Sequence, residues 1–75
     1  MSDKEKLKTI GRPVYAFAMN GYSIGYVAFY FLECEQVYPK WILDNAISYY
    51  EKKYYPGLRK AYEELFLARQ SLTNM

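Results

Sequence analysis

Residues Val14 to Leu32 are nineteen consecutive positions without a charge. As a single helix this block is about 28 Å long, close to the hydrocarbon thickness of a bilayer. Its flanks differ. Residues 1–13 carry Lys4, Lys6, Lys8 and Arg12 against Asp3 and Glu5, whereas residues 33–75 hold six basic and six acidic groups. The formal excess of +2 therefore lies wholly on one side of the block. Basic flanks stay on the cytoplasmic or matrix side of a membrane, so the N-terminus is expected there. Asn20, Ser23 and four tyrosines dilute the block, and a buried central helix of a small soluble bundle competes with a membrane span. The span is the reading preferred here.

The distribution of small residues supports that preference. Ala18, Gly21, Gly25 and Ala28 are spaced three, four and three, which places them on one helical face. Each glycine inside a helix costs about 1 kcal/mol relative to alanine in water. In lipid, small residues allow the close backbone approach that drives helix pairing, and Asn20 beside them is placed to add an interhelical hydrogen bond. Arg12, Tyr15, Tyr30, Tyr38 and Trp41 sit where interface anchors belong. Tyr22 and Tyr26 fall near the middle and require protein rather than lipid against them. The composition thus suits a helix wedged among other transmembrane helices.

A basic start, Gly11-Arg12, and a Gly21-x-x-x-Gly25 span followed by a charged helical tail resemble the small accessory subunits of mitochondrial inner-membrane complexes. The pattern over residues 6–33 is similar to subunit e of the mitochondrial ATP synthase. That resemblance implies a non-catalytic subunit of the inner membrane, with Gly21 and Gly25 pairing against a neighbouring subunit. The Tyr-rich tail with Pro56-Gly57 is not part of the pattern.

Three segments follow. Residues 1–13 form a basic segment, with a short helix from Asp3 toward Thr9 behind a Ser2–Glu5 capping box and a break at Gly11-Arg12-Pro13. Residues 14–37 form the transmembrane helix, opened by Pro13. Residues 38–75 form an amphipathic tail broken at Pro39 and at Pro56-Gly57. In the tail, Leu43, Ala46, Ile47, Tyr50 and Tyr54 make one helical stripe; Leu58, Ala61, Tyr62, Leu65, Ala68 and Leu72 make another. No strand-like alternation occurs, so the fold class is all-α: one transmembrane helix and one or two amphipathic helices. Its stripes are too narrow for a core alone, so the tail must fold on itself, on the membrane interface or on a partner subunit; the partner is expected, because the charge-neutral tail lacks the basic face of a lipid-surface helix. The leading segment, with its mixed charge, reads as neither a secretory signal nor a cleaved presequence.

Catalysis is not indicated. The chain has no histidine and one cysteine, which excludes His/Cys metal clusters, internal disulfides and histidine-assisted nucleophiles. Glu33 and Glu35 point apart on a helix, and Cys34 has no cation beside it to form a thiolate. No cofactor, no metal and no small-molecule substrate are expected. Lys52-Lys53 and Arg59-Lys60 around Tyr54-Tyr55 resemble an aromatic–basic patch, but Glu51, Glu63 and Glu64 neutralise it in sequence, so nucleic acid is not expected as a partner. The expected partners are the bilayer and other subunits of a membrane complex. The alternative is a soluble helical protein, either a protein-interaction module or a helix-turn-helix with its turn at Gly21-Tyr22-Ser23. The supposed recognition helix Ser23–Leu32 has no Lys, Arg, Asn or Gln with which to read bases.

Overall fold

A computed structural model describes residues 2–73, and they form four helices: α1 Asp3–Met19, α2 Ile24–Cys34, α3 Lys40–Lys53 and α4 Leu58–Thr73. All-α is therefore the fold class. The uncharged block is not one helix, however, and among the described residues no helix is long and apolar enough to cross a membrane. The 14–37 helix expected from sequence is divided at residues 20–23. Asn20 ends α1, Gly21 turns the chain at φ +71°, and Ser23 caps α2 by accepting the Tyr26 N–H at 3.3 Å. Asn-Gly is turn chemistry and serine is cap chemistry, and here they outweigh unbroken hydropathy. At eleven residues, α2 is about 16 Å long, half a bilayer core.

The break expected at Gly11-Arg12-Pro13 is absent. α1 starts as the capping box implies, with Ser2 Oγ accepting the Glu5 N–H at 3.2 Å, but it continues to Met19 with Pro13 inside. An internal proline removes one helical hydrogen bond, here the one to Thr9. Packing holds the weakened turn. Ile10 and Val14 are completely buried, and the Tyr30 hydroxyl of α2 donates to the Ile10 carbonyl at 2.5 Å. Gly11 has its own purpose: the Tyr50 ring of α3 lies against its backbone, where a Cβ would be 2.8 Å from Cε2 and Cζ.

The tail breaks where its prolines place the breaks. Pro39 is the N-cap of α3, and Gly57 turns the chain into α4 at φ +90°. The tail packs on its own chain: α1 lies along α3 and α2 along α4. Gly11 meets Tyr50 and the Tyr15 ring meets Tyr54, so α1 and α3 run in the same direction. One core results, built from Ile10, Val14, Val27, Phe31, Ile42, Leu43, Ile47 and Leu58, with Ala28 between the helices. The α4 stripe enters that core at Leu58 and packs against it through Ala61, Tyr62 and Leu65; Ala68 and Leu72 lie exposed beyond it. The whole is a slab 36 × 30 × 17 Å. A slab one helix pair thick leaves many large side chains with one wet face.

Arg59 ties α3 to α4. Its guanidinium donates to Ser48 Oγ at 2.6 Å and to the Asp44 carbonyl at 3.0 Å, and it pairs with the Asp44 carboxylate at 3.4 Å. Glu51 accepts the Arg59 backbone N–H at 3.0 Å, so a carboxylate from α3 caps the first turn of α4. Arg59→Ala is expected to cost about 1–2 kcal/mol in urea denaturation, a moderate loss because the guanidinium is one-third exposed. Arg59→Lys should not restore it, since an ammonium cannot reproduce the fork. Wild-type stability in the Lys variant would show that charge alone holds this corner.

Candidate interaction surface

The turn of the α1–α2 hairpin gathers aromatic rings. Phe17 stacks on Tyr22 at 5.2 Å and meets Tyr26 edge-on at 5.0 Å, and Tyr22 meets Tyr26 at 4.9 Å. These contacts fix the rings without burying them. Tyr26 and Phe29 are each 53% exposed and Met19 58%. On the outer side of α2, Phe29 follows Tyr26 by one turn, and a shallow cleft of about 250 Å³ opens among Phe17, Tyr26, Phe29, Tyr30 and Glu33. Part of the charge-free stretch seen in sequence thus becomes an exposed apolar surface, on which Phe17, Tyr22 and Tyr26 hold one another in place.

The four small residues do not share a face. Ala18 is half-buried on α1, Gly21 is in the turn, Gly25 is exposed in the first turn of α2, and Ala28 is fully buried. A Cβ at Gly21 would meet nothing within 4 Å, and one at Gly25 only Ser23 Oγ at 4.0 Å. The chain's own packing therefore uses neither glycine for a close helix crossing. Asn20 is turned back on its own helix, where Nδ2 donates to the Ala16 carbonyl at 2.7 Å. The residues read as interface anchors scatter in the same way. Arg12, Tyr15 and Trp41 are exposed, whereas Tyr30 and Tyr38 pack against the core.

Groups with chemical potential are subdued. Cys34 is buried, and burial pushes its thiol up from the ordinary range. The Tyr62 hydroxyl donates to Glu35 at 3.2 Å, and burial, assisted by the Glu35 charge, pushes it up to about 12. Neither becomes a nucleophile near neutral pH. A cleft of about 370 Å³ between α3 and α4 contains Arg59 and Asp44, which are already paired. Among the described residues no group of three carboxylate or thiol side chains is placed to hold a metal ion.

Sequence reasoning identified Gly25 but gave no site role to Phe17, the ring around which the cluster forms, or to Phe29, which it placed only on an aromatic side. Their signal was the density of aromatics in a stretch without charge. No known protein family, curated protein or solved structure matches this chain.

Proposed function

We propose that the chain is a non-catalytic accessory subunit that docks on a partner protein through the outer face of the α1–α2 hairpin. One observation carries this: Gly25 lies open beside the exposed rings of Tyr26 and Phe29, a notch next to two aromatic surfaces, of which Tyr26 is held by Phe17 and Tyr22. Aromatic rings supply large contact area at low entropic cost, and a glycine admits a partner's side chain or backbone close to α2. The partner we assign is a subunit of a membrane complex. The apolar, aromatic character of the surface, with Glu33 alone as a charge at its cleft, supports that assignment, and the attachment is through the partner rather than through a span. The similarity to subunit e rested on Gly21 and Gly25 sharing one helix, and its support is weaker now that they are divided between a turn and a helix. Duplex-DNA reading by α2 has less support still, because that helix carries no base-reading side chain and buries Val27, Ala28, Phe31 and Leu32.

Gly25→Leu tests the reading cleanly. A Cβ at this position meets nothing closer than Ser23 Oγ at 4.0 Å, and leucine favours helix by about 1 kcal/mol over glycine. The variant should melt at or above the wild-type temperature. Its recovery of a tagged complex from mild detergent should nonetheless fall at least tenfold, and Phe29→Ala should fall likewise. Equal recovery of the same complex by both variants would rule this surface out.

A further inference from the structure

A second surface has different chemistry. Between α1 and α3 runs a cleft of about 430 Å³. Leu7 and Ala46 line its apolar part, Tyr49 and Tyr50 give an aromatic wall, and Lys4 and Lys8 supply ammonium groups. No acidic residue lines it, and neither lysine is in an ion pair among the described residues. Arg12 continues the row. Positions 4, 8 and 12 are all exposed and follow one side of α1, about 6 Å apart along its axis. Beyond the cleft, Lys53 Nζ lies 5.3 Å from the Tyr49 ring centroid and 5.4 Å from that of Tyr54, against which Tyr15 rests edge-on.

The fold also separates charges that cancel in sequence. Glu51 is turned to the start of α4, where it caps the Arg59 N–H, and Asp44 holds the Arg59 guanidinium. Glu63 lines the other cleft, between α3 and α4. Glu51 and Glu63, two of the three carboxylates expected to neutralise the aromatic–basic patch, therefore sit beside Arg59 and do not line the α1–α3 cleft. The expectation that nucleic acid is no partner rested on that neutralisation.

We propose that the α1–α3 cleft binds single-stranded nucleic acid without sequence preference. Lys4, Lys8 and Arg12 follow the phosphates, and the Tyr49 ring, 52% exposed, takes a base by stacking. The concave shape favours a strand over a bilayer, which would need protruding apolar side chains. The aromatic wall favours a strand over an acidic peptide, which has no rings to stack. The site is separate from the α2 surface, so either can fail without the other.

Fluorescence anisotropy with a labelled oligothymidylate of about 20 nucleotides and the full chain tests it. Binding should weaken with salt, log K falling against log salt with a slope of about −2, as for three phosphate contacts on a single strand. Lys4→Glu with Lys8→Glu should reduce affinity at least tenfold with unchanged helical circular dichroism. Tyr49→Ala should reduce it about tenfold and Tyr49→Phe hardly at all, because the ring stacks and the hydroxyl does not. Polyglutamate and phosphatidylserine vesicles should compete poorly, and a duplex of the same length should bind more weakly. No binding of the oligonucleotide at low salt, an unchanged affinity in Tyr49→Ala, or equal competition by polyglutamate, vesicles or duplex would each overturn the proposal.

Discussion

Gly11→Ala is expected to destabilise the protein, against the helix-propensity gain of about 1 kcal/mol that alanine brings to a helix interior. The new methyl group would collide with the Tyr50 hydroxyl and sit 2.8 Å from two ring carbons. The ring can move only by disturbing its stack on Tyr54 at 6.0 Å and its edge-on contact with Tyr49 at 4.8 Å. Overpacking of this kind costs about 1–3 kcal/mol, and Gly11→Val, larger and β-branched, should exceed it. A domain of this size has only a few kcal/mol to lose, so the valine variant should be largely unfolded at 37 °C. Each kcal/mol should lower the melting temperature by about 4–8 °C. The double variant Gly11→Ala, Tyr50→Leu should recover much of the loss, because leucine vacates the space over residue 11. A melting temperature raised by Gly11→Ala alone would show that the ring moves aside freely and that Gly11 is no notch.

Gly11 also shows where the sequence was legible and where it was not. The helix start at Ser2, the breaks at Pro39 and Pro56-Gly57, and the apolar stripes of α3 and α4 all follow from local chemistry visible in the residues. The two errors came from features with more than one physical meaning. Gly11-Arg12-Pro13 resembles a helix break, yet its glycine admits the Tyr50 ring and its proline is tolerated because Ile10 and Val14 are buried on both sides of it. Such support comes from Tyr30, twenty positions from Ile10, and from Tyr50, further still, which no local pattern reports. The opposite error, at Asn20-Gly21, has a geometric cause. Ile10, Val14, Phe17, Gly21, Ile24, Ala28 and Phe31 are spaced four, three, four, three, four and three, so the apolar stripe passes through the turn without a change of phase. Periodicity cannot mark a break that preserves the period; only the turn chemistry of Asn-Gly and the capping serine could. The interaction surface inherited that error. Four small residues share a face only if the helix is continuous, whereas the exposed rings of α2 depend on the turn that ends it.

The largest response to solution conditions is expected above pH 10, and it centres on Tyr30. Its hydroxyl, half-buried between α1 and α2, donates to the Ile10 carbonyl, and burial, followed by the influence of the neighbouring Cys34 thiol, holds its pKa far above the ordinary 10.0. Burial also raises Tyr50, Tyr55 and Tyr62, the last to about 12, and raises Cys34 above its ordinary 9.0. The sign is the same for each. A group that holds its proton more tightly in the folded state contributes no pH dependence while both states are protonated. Once pH passes the unfolded value, the unfolded chain releases protons that the folded chain retains, and stability falls. The decline should therefore begin near pH 9 with Cys34 and steepen above about 10 as the tyrosines of the unfolded chain ionise. Urea denaturation followed by circular dichroism at steps from pH 7 to about pH 12 measures it, with tyrosinate absorbance recording ionisation in parallel. Tyr30→Phe should be about 1 kcal/mol less stable at pH 7, having lost one hydrogen bond. It should lose stability more gradually above pH 10, so that the two curves converge or cross. A wild-type stability that stays flat through pH 11, or a Tyr30→Phe curve parallel to the wild type throughout, would mean that the Tyr30 hydroxyl is not held by the α1–α2 contact.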